Sequence, residues 1–375
     1  MPESDERANS KPQRRPGGPT GRRRKPRSTR KKALVITAWA AASVVVLGGA
    51  GLGYVYFKLN GNIHGVDINA ALGTDRPDDV DNGSMDILVL GSDSRAGDNS
   101  KYGGGDEESA RSDTAMIVHV YEGHKKASVV SIPRDTLVTR PECTAENGKK
   151  DPGGPRKMFN ESYSVGGPAC AVKTVEKMSG IRMDHYLEVD FTGFKKLIDE
   201  LGGVEITTNK AIKDKDSHLD LQAGTHTLKG EQALGLVRTR HAVGDGGDLG
   251  RIQLQQAFIK ALINQVKDVG VFTNPKKLYS LADTATSAVT TDSELDSVNS
   301  LIGFANGLKG IEAGDMNMIT LPVKPDTLDP NRVEPIDKDA KLVWDALHAD
   351  KPIPAEATKD SAGDKGDAGS FVKSN

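Results

Sequence analysis

The sequence predicts a layered α/β domain, and two observations carry that prediction. Three short apolar runs with the length and β-branched content of strands follow one another at residues 87–90, 115–120 and 127–132. Further along, HYLEVD has the pattern of a strand, residues 191–201 repeat apolar side chains with a helical period, and residues 204–206 start another strand. This β-α-β rhythm is typical of helices packed on a central sheet.

The charge of the chain is unevenly distributed, although the net charge of its 375 residues is only −2. Residues 1–32 contain 12 Lys/Arg against 3 Asp/Glu, a net of +9, so residues 33–375 sum to −11. The basic segment is also rich in Pro, Gly and Ser, which predicts a disordered tail. It contains no helix-turn-helix pattern and no interleaved aromatic residues, so we expect no nucleic-acid partner.

Residues 33–57 form an uncharged run that is long enough to cross a hydrocarbon core of about 30 Å as a helix. Tyr54 and Tyr56 stand where an interfacial aromatic belt would lie. The alternative is a cleaved signal peptide, but the run is longer than a typical signal-peptide core and no clear A-x-A site follows it. We therefore predict a single-pass cell-membrane protein with a signal anchor, a cytoplasmic N-terminus and an extracellular domain.

The segment after the anchor, residues 58–84, is polar and rich in Gly and Asp, which predicts an extracellular linker before a domain that begins near Met85. The only two cysteines, Cys143 and Cys170, both lie in the external part. In an oxidising compartment two such cysteines most simply form one disulfide. Two unpaired buried thiols are the alternative.

The remaining elements follow from periodicity and stop signals. Residues 157–163 and 169–179 have helical spacing, and Gly180 ends the second helix. Residues 224–240 predict a turn, a short helix (GEQALGL) and a strand carrying Val-Arg-Thr-Arg. A Gly/Asp-rich turn then opens the longest amphipathic helix, at about residues 248–266.

The C-terminal part contains one more predicted helix, at about residues 292–308, which is followed by a strand with the sequence MNMITLPV. Residues 324–375 are predicted to form an extension that is mostly disordered. Within that extension, only DALHAD suggests a short helix. The main domain is therefore placed at residues 85–323.

Charged residues flank the end of each of the first three predicted strands. If the second strand runs antiparallel to the first and the third, all of these charges meet at one edge of the sheet. Carboxylates at that edge suit a hard divalent cation, and guanidinium groups suit phosphate oxygens. The pattern predicts a site for a metal-bound phosphate or pyrophosphate. The flanking residues are Asp93, Arg95, Arg111, Asp113, Arg134 and Asp135.

A second group of charges follows later in the chain. Arg238 and Arg240 alternate on the predicted strand, so we expect them to project from one face. Asp248 and Arg251 fall in the first turn of the long helix, where backbone amides and the helix dipole favour an anion, and Gln255 follows one turn later. A solvated surface ion pair is the alternative role for each arginine, but together these charges predict a basic pocket.

Taken together, these segments resemble the LytR–CpsA–Psr (LCP) family of cell-envelope proteins, over roughly residues 86–323. The resemblance implies an α-β-α fold around a central mixed sheet. It also implies an enzyme that transfers a polyprenyl-pyrophosphate-linked glycopolymer onto peptidoglycan and leaves a polyprenyl phosphate. The matching segments are DILVLGSDSR, RSDT, SIPRD, FNESY, VDFTGFKKLIDELGGV, GTHTLKGEQAL, and RTR followed by DLGR.

The resemblance also implies roles for individual residues. Asp93 and Asp113 match the Mg²⁺-associated aspartates, for which Mn²⁺ is an alternative metal. Many family members carry an arginine where this sequence has Leu254, which affects the expected affinity or register of the pyrophosphate. The catalytic residues are predicted to be Asp113, Arg134, Arg238, Arg240, Asp248 and Arg251. The residues predicted to bind substrate are Arg95, Arg111, Phe194, Gln255 and Phe258.

Several alternatives remain open at this point. Asp113 or Asp248 could accept the proton of the attacking hydroxyl. An apolar slot for the lipid is expected around Phe191, Phe194, Phe258 and Leu262, although ordinary core packing is the alternative for each of them. A membrane-anchored transcriptional regulator and a polyprenyl-pyrophosphate hydrolase are the competing functions. The expected partners are the lipid-linked glycan, peptidoglycan and the cytoplasmic membrane.

Overall fold

A computed structural model of the chain describes residues 49–92, 112–145, 147–240, 247–270, 274–359, 361 and 372–373. The chain divides into two compact units, residues 1–55 and residues 56–375, and the described part of the first unit is helical. The basic tail and most of the predicted membrane span lie outside the described residues. Among the residues that are described, no helix is both long and apolar enough to cross a membrane.

The second unit alternates short strands with helices along the whole chain. Its helices are α1 (residues 56–62), α2 (Ile68–Leu72), α3 (Phe159–Ser179), α4 (Phe191–Glu200), α5 (Gly230–Arg238), α6 (Asp248–Asp268), α7 (Pro275–Ala288), α8 (Val298–Leu308) and α9 (Asp337–His348). Its strands are β1 (His64–Val66), β2 (Met85–Ser92), β3 (Ser112–Val120), β4 (Ala127–Ile132), β5 (Leu137–Arg140), β6 (Cys143–Thr144), β7 (Lys150–Asp151), β8 (Gly154–Met158), β9 (His185–Asp190), β10 (Val204–Thr208), β11 (Ile212–Asp214), β12 (Leu219–Leu221), β13 (Gly224–Leu228), β14 (Val289–Asp292), β15 (Met316–Thr320), β16 (Val323–Pro325), β17 (Val333–Pro335) and β18 (Val372–Lys373).

A seven-stranded mixed sheet with the order β1-β14-β9-β2-β3-β4-β15 forms the centre of this unit. Strand β3 runs antiparallel to both β2 and β4, whereas β9 is parallel to β2 and β15 is parallel to β4. The predicted mixed sheet is therefore confirmed. Because of this order, the C-terminal ends of β2 and β4 and the N-terminal end of β3 lie at one edge, as the sequence predicted.

Helices cover both faces of the sheet. On one face, alternate side chains of β2, β3 and β4 pack against α2, α3 and α9. On the other face, the intervening side chains pack against α8, and a second cluster joins α4, α5 and α6 to the small strands β10–β13. This arrangement is the three-layered α-β-α packing expected for a mixed sheet that is apolar on both faces.

The chain beyond the predicted domain is more ordered than the sequence indicated. Helix α9 contributes Val343, Trp344 and Leu347 to the main core, although residues 324–375 were predicted to be mostly disordered. Similarly, the predicted linker contributes β1 to the sheet and Leu72 to the core, and its Arg76 forms a buried 2.6 Å ion pair with Glu176. Both segments therefore pack as part of the domain.

Three predicted helices have different bounds. The two helices predicted at 157–163 and 169–179 form one helix, α3, which is kinked at Gly166 and Gly167 before Pro168. The helix predicted at about 292–308 begins only at Val298, after β14 and a short turn. Helix α7 was not predicted. Its signals are Asn274, whose side chain accepts from the first amides, and a proline at the first helical position.

A disulfide joins Cys143 of β6 to Cys170 of α3, as the sequence predicted. The kink in α3 lies directly against this bridge. A Cβ added at Gly166 would lie 2.9 Å from the Cβ of Cys170 and 3.1 Å from the carbonyl oxygen of Thr144. Only glycine fits this close approach, so the kink and the disulfide depend on the same position.

The opposite edge of the sheet holds a buried histidine. His119 of β3 has its Nδ1 2.9 Å from Asp86 Oδ1 and its Nε2 3.1 Å from Asp350 Oδ1. Burial lowers the pKa of His119, but the two carboxylates raise it by more, so its pKa lies above the usual value. The ring therefore ties the residues that follow α9 to the central sheet.

Candidate functional site

The charged residues after β4 and at the start of β3 meet at the edge of the sheet. Arg134 Nη1 donates to Asp113 Oδ1 at 2.8 Å. Arg240 Nη2 lies 3.9 Å from the same oxygen. Asp135 lies 3.4 Å from Arg134 Nε. The antiparallel order of β2, β3 and β4 therefore brings these predicted site residues together.

The N-terminal turn of α6 closes the site from the side. Arg251 is ion-paired with Asp248 three residues earlier, and its Nη2 donates to the backbone oxygen of Asp113 at 2.8 Å. The Arg251 side chain is only 3 % exposed. One turn later, Gln255 Nε2 donates to Thr114 Oγ1 and to the backbone oxygen of Val237, both at 3.0 Å. These contacts fix both side chains against β3.

The two arginines of the Val-Arg-Thr-Arg segment do not share a strand. Arg238 is the last residue of α5, and its guanidinium stacks 4.8 Å from the ring centre of Phe191. Arg240 is two residues further on, and its amide donates to Asp214 Oδ2 at 2.9 Å. The predicted strand is therefore wrong because α5 continues through Arg238. Both arginines nevertheless line the same cavity.

The positive charges of the site act on one another and on the carboxylates. Burial raises the pKa of Asp113, but Arg251 and Arg134 lower it by more, so its pKa lies below the usual range. Burial and the neighbouring charges of Arg251 and Arg134 lower the pKa of Arg240. Since these guanidinium groups repel one another, an anion placed between them would be stabilised.

Two guanidinium nitrogens at the site point to the same conclusion. Arg251 Nε is buried and has no hydrogen-bond partner among the described residues. Arg134 Nε is also buried and makes no hydrogen bond there, although Asp135 Oδ2 lies 3.4 Å away. A buried donor that lacks an acceptor is costly, and such groups in a native structure often face a ligand. The acceptor oxygens of a phosphate group match these donors in chemistry and in charge.

A cavity of about 730 Å³ opens from this charged cluster into the layer between the sheet and the helices α4–α7. Its charged end contains Asp113, Arg134, Arg238, Arg240, Arg251 and Gln255. Its remaining wall is mainly apolar and includes the four side chains predicted to surround the lipid, Phe191, Phe194, Phe258 and Leu262. The cavity is thus charged at one end and apolar over the rest of its length.

Some predicted site residues cannot be placed. Asp93, Arg95 and Arg111 lie outside the described residues, so Asp113 is the described member of the predicted metal pair. Within the described part of the chain, no group of three or more His, Cys, Asp or Glu side chains is arranged to hold a metal ion. The role of Asp113 as a metal ligand stays a prediction.

The structure also places residues at the site that sequence reasoning missed. Arg332, which directly precedes β17, approaches Asp135 to 3.4 Å, and Asp214 holds the backbone of Arg240. Neither contact has a signal in the sequence, because each joins segments that are distant along the chain. Thr114, the acceptor of the Gln255 amide, directly follows Asp113 in the RSDT segment.

Comparison with known proteins gives a consistent result. A model of the LytR_cpsA_psr family matches residues 55–348. The chain is 31 % identical over 363 residues to the cell wall biosynthesis protein LcpA of Corynebacterium glutamicum. This alignment covers 87 % of this chain and 68 % of LcpA. It is 32 % identical over 303 residues to the polyisoprenyl-teichoic acid–peptidoglycan teichoic acid transferase TagT of Bacillus subtilis, covering 78 % and 87 % of the two chains.

Two further comparisons bear on function. The regulatory protein MsrR of Staphylococcus aureus is 33 % identical over 244 residues, which cover 64 % of this chain and 65 % of MsrR. A solved structure of TagT bound to LI-WTA superposes with a TM-score of 0.53 at 25 % identity, covering 74 % of this chain and 96 % of that chain. The fold and the sequence therefore point to the same group of proteins.

Proposed function

Because this chain belongs to the LytR–CpsA–Psr family, we propose that it transfers a polyprenyl-pyrophosphate-linked cell-wall glycopolymer onto peptidoglycan. One observation carries the proposal: a cluster of arginines stands at one end of a cavity whose remaining wall is mainly apolar. A polyprenyl pyrophosphate has the matching polarity, with a charged head and a long apolar chain. Of the relatives, TagT is named as a transferase with a polyisoprenyl-linked substrate.

In the proposed complex, Arg134, Arg240 and Arg251 bind the oxygens of the pyrophosphate. Their guanidinium groups converge on Asp113 from β4, from the end of α5 and from the start of α6, and the N-terminal amides of α6 favour the same anion. Gln255 and the stacked Arg238 line the passage from this charged end to the apolar wall, which takes the polyprenyl chain.

The proposed reaction is a displacement at phosphorus. A muramic-acid hydroxyl of peptidoglycan attacks the phosphorus that carries the glycan, and the bond from that phosphorus to the bridging oxygen breaks. The polyprenyl phosphate leaves with the bonding electrons, and the hydroxyl proton passes to a carboxylate. The arginines stabilise the charge that develops on the bridging oxygen, which is the main catalytic contribution in phosphoryl transfer.

The two candidate proton acceptors share the same arginines. Burial raises the pKa of Asp113, but Arg251 and Arg134 lower it by more, which makes Asp113 a weak base and a good partner for a cation. Asp248 is ion-paired with Arg251 and lies 3.8 Å from Arg134 Nε and 4.0 Å from Arg240 Nε. We assign the cation to Asp113, which leaves Asp248 as the carboxylate that accepts the proton.

A divalent cation fits the donor chemistry of this edge. Asp113 offers ionised carboxylate oxygens to the cavity, and oxygen ligands of this kind suit Mg²⁺ or Mn²⁺. We propose that Asp113, together with Asp93, holds Mg²⁺. When bound there, the ion supplies positive charge next to the pyrophosphate.

We further propose that residues 33–57 anchor the protein in the cytoplasmic membrane and that the domain lies outside it. This location is where both proposed substrates occur. The disulfide between Cys143 and Cys170 suits the oxidising conditions of that compartment.

The test uses the full chain in detergent with a synthetic polyprenyl-pyrophosphate glycan, peptidoglycan oligomers and Mg²⁺. Mass spectrometry should detect a glycan–phosphate–peptidoglycan adduct whose rate of formation falls strongly in Arg134→Ala and Arg240→Ala. Arg182→Ala is the matched control, since Arg182 lines a different cavity at the opposite edge of the sheet. Cleavage without an adduct would indicate a hydrolase. A bound lipid that is never turned over would favour a regulatory role, as the name of MsrR suggests for that relative.

A further inference from the structure

The cavity has a defined direction because α6 runs along it. Arg251 and Gln255, near the start of the helix, line the charged end, whereas Leu262 and Val266 line the wall close to its last turn. Fifteen residues separate Arg251 from Val266, which corresponds to about 22 Å along a helix. The apolar end of the cavity is therefore well separated from the arginine cluster.

Helix α7 borders the apolar end. Its side chains Leu281 and Ala285 line the cavity. Leu278 lies one turn earlier on the same stripe of the helix, at the i, i+3, i+7 spacing, but it is 42 % exposed. The apolar stripe of α7 therefore extends beyond the cavity-lining residues to a side chain at the protein surface.

The neighbouring stripe of α7 is held by α1. Lys58 Nζ lies 2.7 Å from Asp283 Oδ2 and 3.3 Å from the hydroxyl of Tyr279. Asn62 Nδ2, one turn further along α1, donates to Asp283 Oδ1 at 2.9 Å and approaches Thr286 Oγ1 to 3.4 Å. These contacts fix α7 to the segment that directly follows the predicted membrane span, whose last residue precedes Lys58.

The exposed beginning of α7 has the composition of a membrane-surface segment. Lys276 and Lys277 are both exposed and directly precede Leu278. Lysines beside an exposed apolar side chain suit the surface of a bilayer that contains anionic lipids. Close to these lysines, Tyr279 and Asp283 of α7 contact Lys58, the residue that directly follows the predicted anchor.

We propose that the beginning of α7 with its N-cap, residues 274–279, docks on the anionic surface of the bilayer. The polyprenyl chain of the donor then passes from the bilayer into the cavity along Leu278, Leu281 and Ala285. The arginine cluster consequently faces away from the membrane, toward the acceptor. The route of the lipid rests on the proposed function, whereas the docking of α7 does not.

The docking is tested directly with the full chain in vesicles that contain phosphatidylglycerol. A spin label is placed at Leu278→Cys or, as the control, at Leu328→Cys, which is 78 % exposed in the turn between β16 and β17. The two native cysteines form a disulfide, so each variant has one free thiol. The label at 278 should be more accessible to oxygen than to a water-soluble nickel chelate. The control should show the reverse, and equal profiles at the two positions would overturn the proposal.

A second experiment separates the docking from the chemistry. Lys276→Glu combined with Lys277→Glu should slow transfer from a donor embedded in anionic vesicles by about tenfold or more, since each lysine contributes attraction to such a surface. The rate with a short, water-soluble donor should not change. Lys338→Glu with Lys341→Glu, on exposed positions of α9, is the matched control.

Each outcome is informative. An equal loss with both donors would contradict the docking, because the substitutions would then act on the fold or on the cavity. If the unaltered protein transfers neither donor, the proposed function fails. The spin-label profiles would still decide whether α7 meets the bilayer.

Discussion

Arg134→Ala is the substitution for which the structure gives the sharpest expectation. The side chain stands between three carboxylates and is 23 % exposed. Its guanidinium donates to Asp113 at 2.8 Å and lies 3.4 Å from Asp135 and 3.8 Å from Asp248. Its removal should leave the backbone in place, because Arg134 lies outside the hydrophobic core.

The expected magnitude follows from the one charge-assisted contact that the pyrophosphate would lose. A hydrogen bond to a charged group contributes about 1.5–3 kcal/mol. Since about 1.4 kcal/mol corresponds to a factor of ten in rate, kcat/KM should fall about 10- to 150-fold. Arg134→Lys should retain part of the activity, because lysine keeps the charge but lacks the planar fork.

The pH dependence should change as well. Burial raises the pKa of Asp113, and Arg251 and Arg134 more than offset that effect, so Asp113 stays ionised to lower pH than an ordinary aspartate. Without Arg134, the pKa of Asp113 should rise. The acid limb of the pH–rate profile should then move to higher pH in Arg134→Ala and less so in Arg134→Lys.

The assay is the rate of adduct formation, measured across the acid range for both variants and for Arg182→Ala, which should match the unaltered protein. Circular dichroism confirms that each variant is folded. A large loss of activity in Arg134→Ala with an unmoved acid limb would refute the electrostatic coupling to Asp113. Full activity in Arg134→Ala would refute the assignment of the pocket.

Three further predictions concern stability, each measured by urea unfolding. His119→Gln should make the free energy of unfolding depend less on pH. The raised pKa of His119 adds stability that is fully present below the ordinary histidine pKa and is lost as pH rises through the raised value, and an unchanged dependence in the variant would contradict this. Replacing Cys143 and Cys170 by serine should cost about 3–4 kcal/mol from the closure entropy of the loop between them, which spans a sequence separation of 27, and a negligible loss would show that the unfolded chain is already constrained. Gly193→Ala should cost about 1–3 kcal/mol, since its Cβ would lie 2.5 Å from a backbone oxygen at the end of α7. The control is Gly303→Ala, whose added Cβ would meet nothing within 4 Å among the described residues, so this variant should be neutral or stabilised by up to about 1 kcal/mol. Similar effects of the two substitutions would contradict the close packing of α4 against α7.

The sequence predicted the central strands well because their signals are local. Each run is short and apolar, and charged residues mark its end. The antiparallel order was a hypothesis, but it alone brings Asp113 next to Arg134. The position of Arg251 was also predictable, since it falls in the first turn of a helix, α6, with a clear period. The candidate site therefore follows largely from strand ends and one helix start.

The errors arise where tertiary contacts outweigh local patterns. Val-Arg-Thr-Arg alternates like a strand, but α5 continues through Arg238, which stacks on Phe191. Helix α9 is a missed local signal, because Ala340, Val343, Trp344 and Leu347 recur at helical spacing and are buried in the main core. The contact of Arg332 with Asp135 joins residues 197 positions apart and leaves no trace in a single sequence.

Strand β3 carries a titrating group near each of its ends, and we expect these two groups to set the pH range in which the protein is active. Asp113 stands at the cavity, whereas His119 is six residues further on, about 20 Å away at the opposite edge of the sheet. Under the proposed function, acid would protonate Asp113 and stop catalysis. Alkali would deprotonate His119 and loosen the segment that follows α9. Loss of activity on the alkaline side should therefore be accompanied by local unfolding of that segment.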